Sequence, residues 1–213
     1  MKRSIFVVAA LLASLAVVSP ADGQQSKARS PQRGAQGGFS LTVHAHSSPG
    51  TLFPARPIPS PVTEGNYVYS SIPCSRQAPF NDVALNFNPD YPGIPSPAPV
   101  RHRLEVTITE TNGRNGTAEG TLTTILCENG QESGNTITIS FVGRFHQVSE
   151  NEVRFAGRFE ITGGTGIFED LEGHGSITGS FTCLRGNCAS RGVFADAVFR
   201  LKGSFRDPTV PQA

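Results

Sequence analysis

From Arg101 onward the chain alternates. Leu104, Val106 and Ile108 fall on one side of Glu105, Thr107 and Thr109. The same period of two runs through Leu122, Thr124 and Leu126, then Ile137, Ile139, Phe141, Gly143 and Phe145, then Val153, Phe155, Gly157, Phe159 and Ile161. Gly175, Ile177, Gly179 and Phe181 continue it, and Ala195, Ala197, Phe199, Leu201, Gly203 and Phe205 close the series. Successive side chains of a strand point to opposite faces, so each run predicts a strand with one buried and one wetted side. Turn residues fill the gaps: Asn112-Gly113, Asn115-Gly116, Asn129-Gly130, Ser149-Glu150-Asn151 and Gly186-Asn187. No segment carries a 3.6-residue period. The reading is an all-β chain, an antiparallel up-and-down meander closed as a small barrel.

The first half is less regular. Phe39, Leu41, Val43 and Ala45 alternate with Ser40, Thr42, His44 and His46, which predicts another half-buried strand. Residues 47–100 are crowded with prolines, which cannot donate to a sheet ladder, so they read as a long insertion with one short strand over Val83–Phe87. With two or three strands from this half, about eight would close a barrel whose interior holds side chains or one small ligand.

A short device recurs on the apolar rows. Val142–Phe145, Ala156–Phe159, Thr178–Phe181 and Lys202–Phe205 each end in Gly-x-Phe, placing Gly and Phe on one face. Glycine there lets a strand bend, and a phenylalanine fills the space it leaves. Phe141, Phe145, Phe155, Phe159, Phe181 and Phe199 are the expected interior lining and, if a guest binds, its contacts. Arg144, Arg154, Arg158, Glu160, Asp196, Arg200 and Lys202 fall on the outer face.

Composition sets the compartment. Lys2 and Arg3 precede the apolar run Ile5–Val18, and Ala21 and Gly23 stand at the small-residue positions for cleavage before Gln24. Residues 1–23 are therefore expected to be a signal peptide, 24–38 a disordered leader, 39–206 one barrel domain including the Pro-rich stretch, and 207–213 a tail. Lys2, Arg3 and Asp22 leave with the signal, so the 18 basic and 17 acidic side chains become 16 of each. A neutral chain argues against nucleic acid as partner, and the apolar run is short for a stable membrane anchor. Four cysteines in an exported chain predict disulfides, with Cys74–Cys127 and Cys183–Cys188 the favoured pairs.

The stretch ITGGTGIFE, Ile161–Glu169, decides whether a cofactor is present. A dinucleotide turn needs a third glycine and a following helix, but Glu169 occupies that third position and FEDLEGHGSITGSF keeps strand alternation. No cofactor is expected. Gly163, Gly164 and Gly166 read as a structural corner, with Ile167 or Phe168 plugging a barrel end. This hairpin, Val153 to Gly179, resembles the glycine-rich hairpin of the allene oxide cyclase and dirigent barrels, which carry a strand, a Gly-Gly-[Ser/Thr]-Gly-x-Phe corner and a glycine-punctuated return strand. The match is close over about 20 residues and looser over 103–206. The resemblance implies an eight-stranded antiparallel barrel, often trimeric, that binds or shapes a hydrophobic guest; plant members cyclise an oxygenated fatty acid or steer coupling of phenolic radicals. The functional residues of these families do not carry over: Glu105 lies in the outward phase, Cys127 ends a strand, and Asp196, Arg154 and Arg158 lie on the polar face.

Other chemistry is sparse. His44 and His46 share a strand face but have no third ligand nearby in sequence, so no metal is expected and they read as solvated. His102, His146 and His174 read as isolated surface residues. Glu169, Asp170 and Glu172 read as a solvated rim, and no Ser lies in a nucleophile elbow. Catalytic residues are not identified. The functional expectation is a secreted, disulfide-stabilised barrel that binds a small hydrophobic molecule or serves as a scaffold, with homo-oligomerisation open. The alternatives are a cofactor-free cyclase or isomerase, which needs an ionisable group inside the barrel, and an interaction module using the Pro-rich arm 47–100.

Overall fold

The computed structural model describes residues 34–47, 56–76, 84–183 and 192–211. The signal segment, most of the leader and Cys188, with its expected bridge to Cys183, lie outside them. The strands are β1 (Gly34–His46), β2 (Ile58–Pro59), β3 (Gly65–Ser70), β4 (Ala84–Asn88), β5 (Ala98–Asn112), β6 (Asn115–Glu128), β7 (Gln131–Ser149), β8 (Glu152–Thr165), β9 (Glu172–Thr182), β10 (Val193–Phe194) and β11 (Asp196–Pro211). Their order is β11-β9-β8-β7-β6-β5-β3-β1, and β1 pairs again with β11, so eight antiparallel strands form a closed ring. The all-β antiparallel architecture is the one the alternation predicts. Every apolar row lies inside: the large side chains of β1, β5–β9 and β11 that the alternation assigns inward are buried.

The seam between β1 and β5 is built differently. β3 pairs along β5 but meets β1 only at His46↔Ser70. β4 fills the other part, pairing Gly38–Leu41 of β1 and Pro99 and Ala98 of β5. β4 answers the strand expected at Val83–Phe87, whereas β3 lies within a stretch that reads as irregular. Tyr67 and Tyr69 of β3 point inward and are buried, a short period-two signal hidden among glycines and prolines.

Two further expectations change. The leader and tail assignments overlap the sheet: β1 begins at Gly34 and β11 continues to Pro211, with Ala35 opposite Asp207 and Gly38 opposite Ser204. Backbone pairing holds these ends, glycine-rich at Gly34–Gly38, and neither carries an apolar alternation to reveal it. Asn115-Gly116 is likewise not a turn but the start of β6. The β5–β6 turn is at Gly113, where φ is +61°. Asn129 and Gly130 do form a tight turn, with φ of 51° and 75°, the left-handed pair that a two-residue hairpin of matching twist requires.

The Gly–Phe device operates between neighbouring strands. Phe145 pairs with Gly116 and Phe141 with Gly120, while Phe159 pairs with Gly175 and Phe199 with Gly179. A Cβ on Gly120 would come within 2.6 Å of the Phe141 ring, and one on Gly175 within 2.7 Å of the Phe159 ring. Each ring lies over the bare backbone across from it. We expect Gly175→Ala to destabilise the protein by at least 1–3 kcal/mol, the cost of overpacking, because backbone of β11 also blocks the new methyl. Gly134→Ala is the control, since nothing lies within 4 Å of its Cβ position. Urea unfolding of the two variants checks this; equal midpoints would dismiss the cross-strand account.

Candidate functional site

The interior divides into two aromatic layers. In one, Phe141, Phe155, Phe199 and Phe181 are linked through ring-centroid distances of 5.7, 5.7 and 5.1 Å, and Tyr69 lies 5.3 Å from Phe181. In the other, Phe159 meets Phe39 at 5.8 Å, Phe39 meets Phe87 at 5.7 Å, and Phe87 contacts Phe205 and Tyr91 at 4.9 and 5.0 Å. Most of these contacts are edge-to-face or tilted, the arrangements that ring quadrupoles favour. The six phenylalanines expected inside are all there, none more than 4 % exposed. Phe145 stands apart from both layers, over Gly116.

One end is closed by the ITGGTGIFE corner. Gly163 and Gly164 belong to β8, pairing Thr138 and Ile137, with a register shift between Thr138 and Ile139. The reversal starts at Gly166, where φ is +61°, and continues as the 3-10 turn Gly166–Phe168. Of the two candidate plugs, Phe168 is buried against Phe87 and Tyr91, while Ile167 is exposed. Gly163 has nothing within 4 Å of its Cβ position, so the corner does not need it to be glycine, whereas Gly164 packs under the Phe168 backbone. The single Tyr91 hydroxyl proton is shared between two acceptors, Asp207 Oδ2 at 2.5 Å and the Ile167 carbonyl at 2.7 Å. Asp207 Oδ1 accepts from the Thr209 amide and hydroxyl and the Val210 amide. Burial and then the Asp207 carboxylate raise the Tyr91 phenol well above its usual range. Burial works against ionised Asp207, but its hydrogen bonds outweigh that and lower its carboxyl below the usual value. Sequence assigned Asp207 to a tail; it is a fully buried latch.

At the other end, Tyr69 joins the barrel to the small β2–β10 sheet. Its hydroxyl accepts from the Ile58 amide at 2.9 Å and donates to the Phe194 carbonyl at 2.7 Å, and burial raises its phenol well above the usual range.

His102 corrects the surface reading directly: it is fully buried, on the inward row between Val100 and Leu104. Its Nε2 lies 3.2 Å from the Thr42 carbonyl and its Nδ1 3.1 Å from Thr124 Oγ1. A carbonyl only accepts, so Nε2 carries the proton and Nδ1 accepts from the threonine hydroxyl. The location explains the arrangement. β4 pairs β1 up to Leu41 and β3 meets it at His46, so the Thr42 carbonyl stands in the split seam between them. The imidazole takes the place of a strand there. Burial pushes its pKa down to about 3, partly offset by the Thr42 hydrogen bond. His146 and His174 are exposed, as expected, and Glu169, Asp170 and Glu172 form an exposed rim.

On the outer face, ring closure brings together residues that sequence holds far apart. His44 and His46 project from β1 with ring centroids 4.6 Å apart, and Asp196 stands opposite His46 on β11 with Oδ1 2.5 Å from His46 Nδ1. One potential ligand atom from each of the three lies within 4.8 Å of the others. A separate open groove crosses β6–β8, lined by Glu119, Ser140, Val142, Arg158, Glu160 and Thr162 and walled by Glu169–Glu172.

Cys74, in the 3-10 turn Cys74–Arg76 after β3, is disulfide-bonded to Cys127 near the end of β6. Among the described residues no helix is long and apolar enough to cross a membrane. No family model matches this chain, and neither the curated proteins nor the solved structures give a match.

Proposed function

We propose that this chain is an exported β-barrel scaffold of the allene oxide cyclase and dirigent type, whose interior serves as a core and whose outer face does the work. The observation that carries the reading is the packing of the barrel interior. The phenylalanines that would contact a guest instead contact one another and the glycines across from them. Export is supported by the basic and apolar start of the chain and by the Cys74–Cys127 disulfide, a bond that persists in oxidising compartments.

The isomerase reading has ionisable side chains inside the barrel on its side. Tyr69, Tyr91 and Asp207 are tied up in hydrogen bonds at the two ends, and His102, on the inward row of β5, is held neutral with both nitrogens engaged. Its position at the split seam supports a structural task, and the scaffold reading is preferred.

Thermal unfolding with a panel of fatty acids, a phenolic and a hydrophobic dye tests the choice. A guest present at a hundred times its Kd would add about 2.7 kcal/mol to stability. The expected result is no saturable shift with any compound. A saturable shift that disappears in Phe155→Trp, which fills the interior further, would restore the hydrophobic-ligand reading.

A further inference from the structure

We propose that His44, His46 and Asp196 form a binding site for one divalent transition-metal cation, for which Zn²⁺ is the representative ion. The inference is independent of whether the barrel interior takes a guest. Strand alternation places His44 and His46 on the same outer face of β1. The antiparallel register of β1 and β11 sets Asp196 directly opposite His46, with Val198 opposite His44. This register runs unbroken from Ala35 to His46, so the three side chains project from paired strands rather than from a loop.

The donor set selects the kind of ion. Two imidazole nitrogens and one carboxylate oxygen suit Zn²⁺ and its first-row neighbours, whereas Ca²⁺ and Mg²⁺ prefer oxygen throughout. The ligand atoms lie within 4.8 Å of one another, and a shared ion at bonds of about 2.0–2.2 Å needs only side-chain rotation to draw them in. The three residues are partly buried, which strengthens the attraction without sealing the entry. The residues registered beside them, Ser70 next to His46, Thr182 next to Asp196 and Val198, carry no positive charge to compete. At present one proton bridges His46 Nδ1 and Asp196 Oδ1. For the cation to bind at His46 Nδ1 the neutral imidazole takes its other tautomer, its single proton passing to Nε2, which leaves Nδ1 and Asp196 Oδ1 both free to ligate. Three protein ligands leave one position of a tetrahedral ion for water or an exogenous donor.

The test uses purified protein without a polyhistidine tag, titrated with Zn²⁺ by calorimetry, with Co²⁺ absorption as a report on coordination. The expected result is one Zn²⁺ per chain and a Co²⁺ spectrum of low-symmetry, four-coordinate type. Loss of a supporting outer contact weakens metal sites about 10–100-fold, and loss of a direct ligand does no less. His44→Ala, His46→Ala and Asp196→Asn are each expected to weaken binding at least that much, while His146→Ala and His174→Ala leave it unchanged. His44→Ala is the variant least able to disturb the fold, since it leaves the His46–Asp196 contact in place. Zn²⁺ binding that persists in His44→Ala, or wild-type protein that binds no Zn²⁺, would overturn the proposal.

Discussion

Taking the protein from pH 7 to pH 5 is expected to cost it about 2 kcal/mol of stability through His102 alone. In the unfolded chain this imidazole titrates near its ordinary value of about 6.5, whereas in the fold its pKa is about 3. Below pH 6.5 the unfolded state therefore binds a proton that the native state refuses. Stability is nearly complete above that pH, falls by about 1.4 kcal/mol per unit as the pH drops, and by pH 3, where the native imidazole is itself half protonated, has lost roughly 4 kcal/mol. His102→Gln retains a donor for the Thr42 carbonyl but cannot titrate. It should lower stability at pH 7, where an optimised contact is lost, and flatten the profile between pH 7 and 5. Urea unfolding at a series of pH values measures both. An unchanged slope in the variant would place the acid sensitivity elsewhere and undo the assignment of His102 as the neutral closure of the seam.

That prediction rests on a residue whose sequence context misleads. His102 sits between Arg101 and Arg103 with no partner chemistry near it in sequence, so it reads as an isolated surface residue. Yet it shares the phase of Val100 and Leu104, and phase was the better guide. The same principle explains what could be read directly. β1, β5–β9 and β11 each bury one face, and burial of one face writes a period of two into the sequence. β3 is harder to see because only Tyr67 and Tyr69 carry the pattern, between prolines and glycines that argue for irregular chain. The paired ends at 34–38 and 207–211 are held by backbone hydrogen bonds that need no apolar side chain, and so leave no trace in hydropathy. The Tyr91–Asp207 latch and the His44–His46–Asp196 cluster are illegible for another reason. Their members are 116 and 150 residues apart, and only closure of the ring brings them together.

The disulfide is expected to stabilise the fold by a different route from His102, through the unfolded chain. Cys74 and Cys127 enclose a separation of 53 residues, including β4, β5 and most of β6. Closing a loop of that length removes enough freedom from the unfolded chain to stabilise the fold by about 4 kcal/mol. The bond also tethers the segment that leaves β3 for β4, on which the split seam depends. Beside it, Glu132 is registered opposite Cys127 and its carboxylate pairs with Arg101, which is only 2 % exposed. Losing the bond therefore loosens the cover over a buried guanidinium as well. Cys74→Ala/Cys127→Ala should unfold about 4 kcal/mol earlier, a drop in Tm of roughly 10 °C for a chain of this size. The double variant is preferable to a reductant, which would act on every bridge in the chain, and alanine avoids leaving an unpaired hydroxyl at two nearly buried positions. Because the effect lies largely in the unfolded state, folding should slow while native contacts stay intact, so the variant's amide protection pattern should match the parent's except around the Cys74–Arg76 turn. A loss below about 1 kcal/mol would mean the unfolded chain already holds this loop closed, contrary to the entropic account.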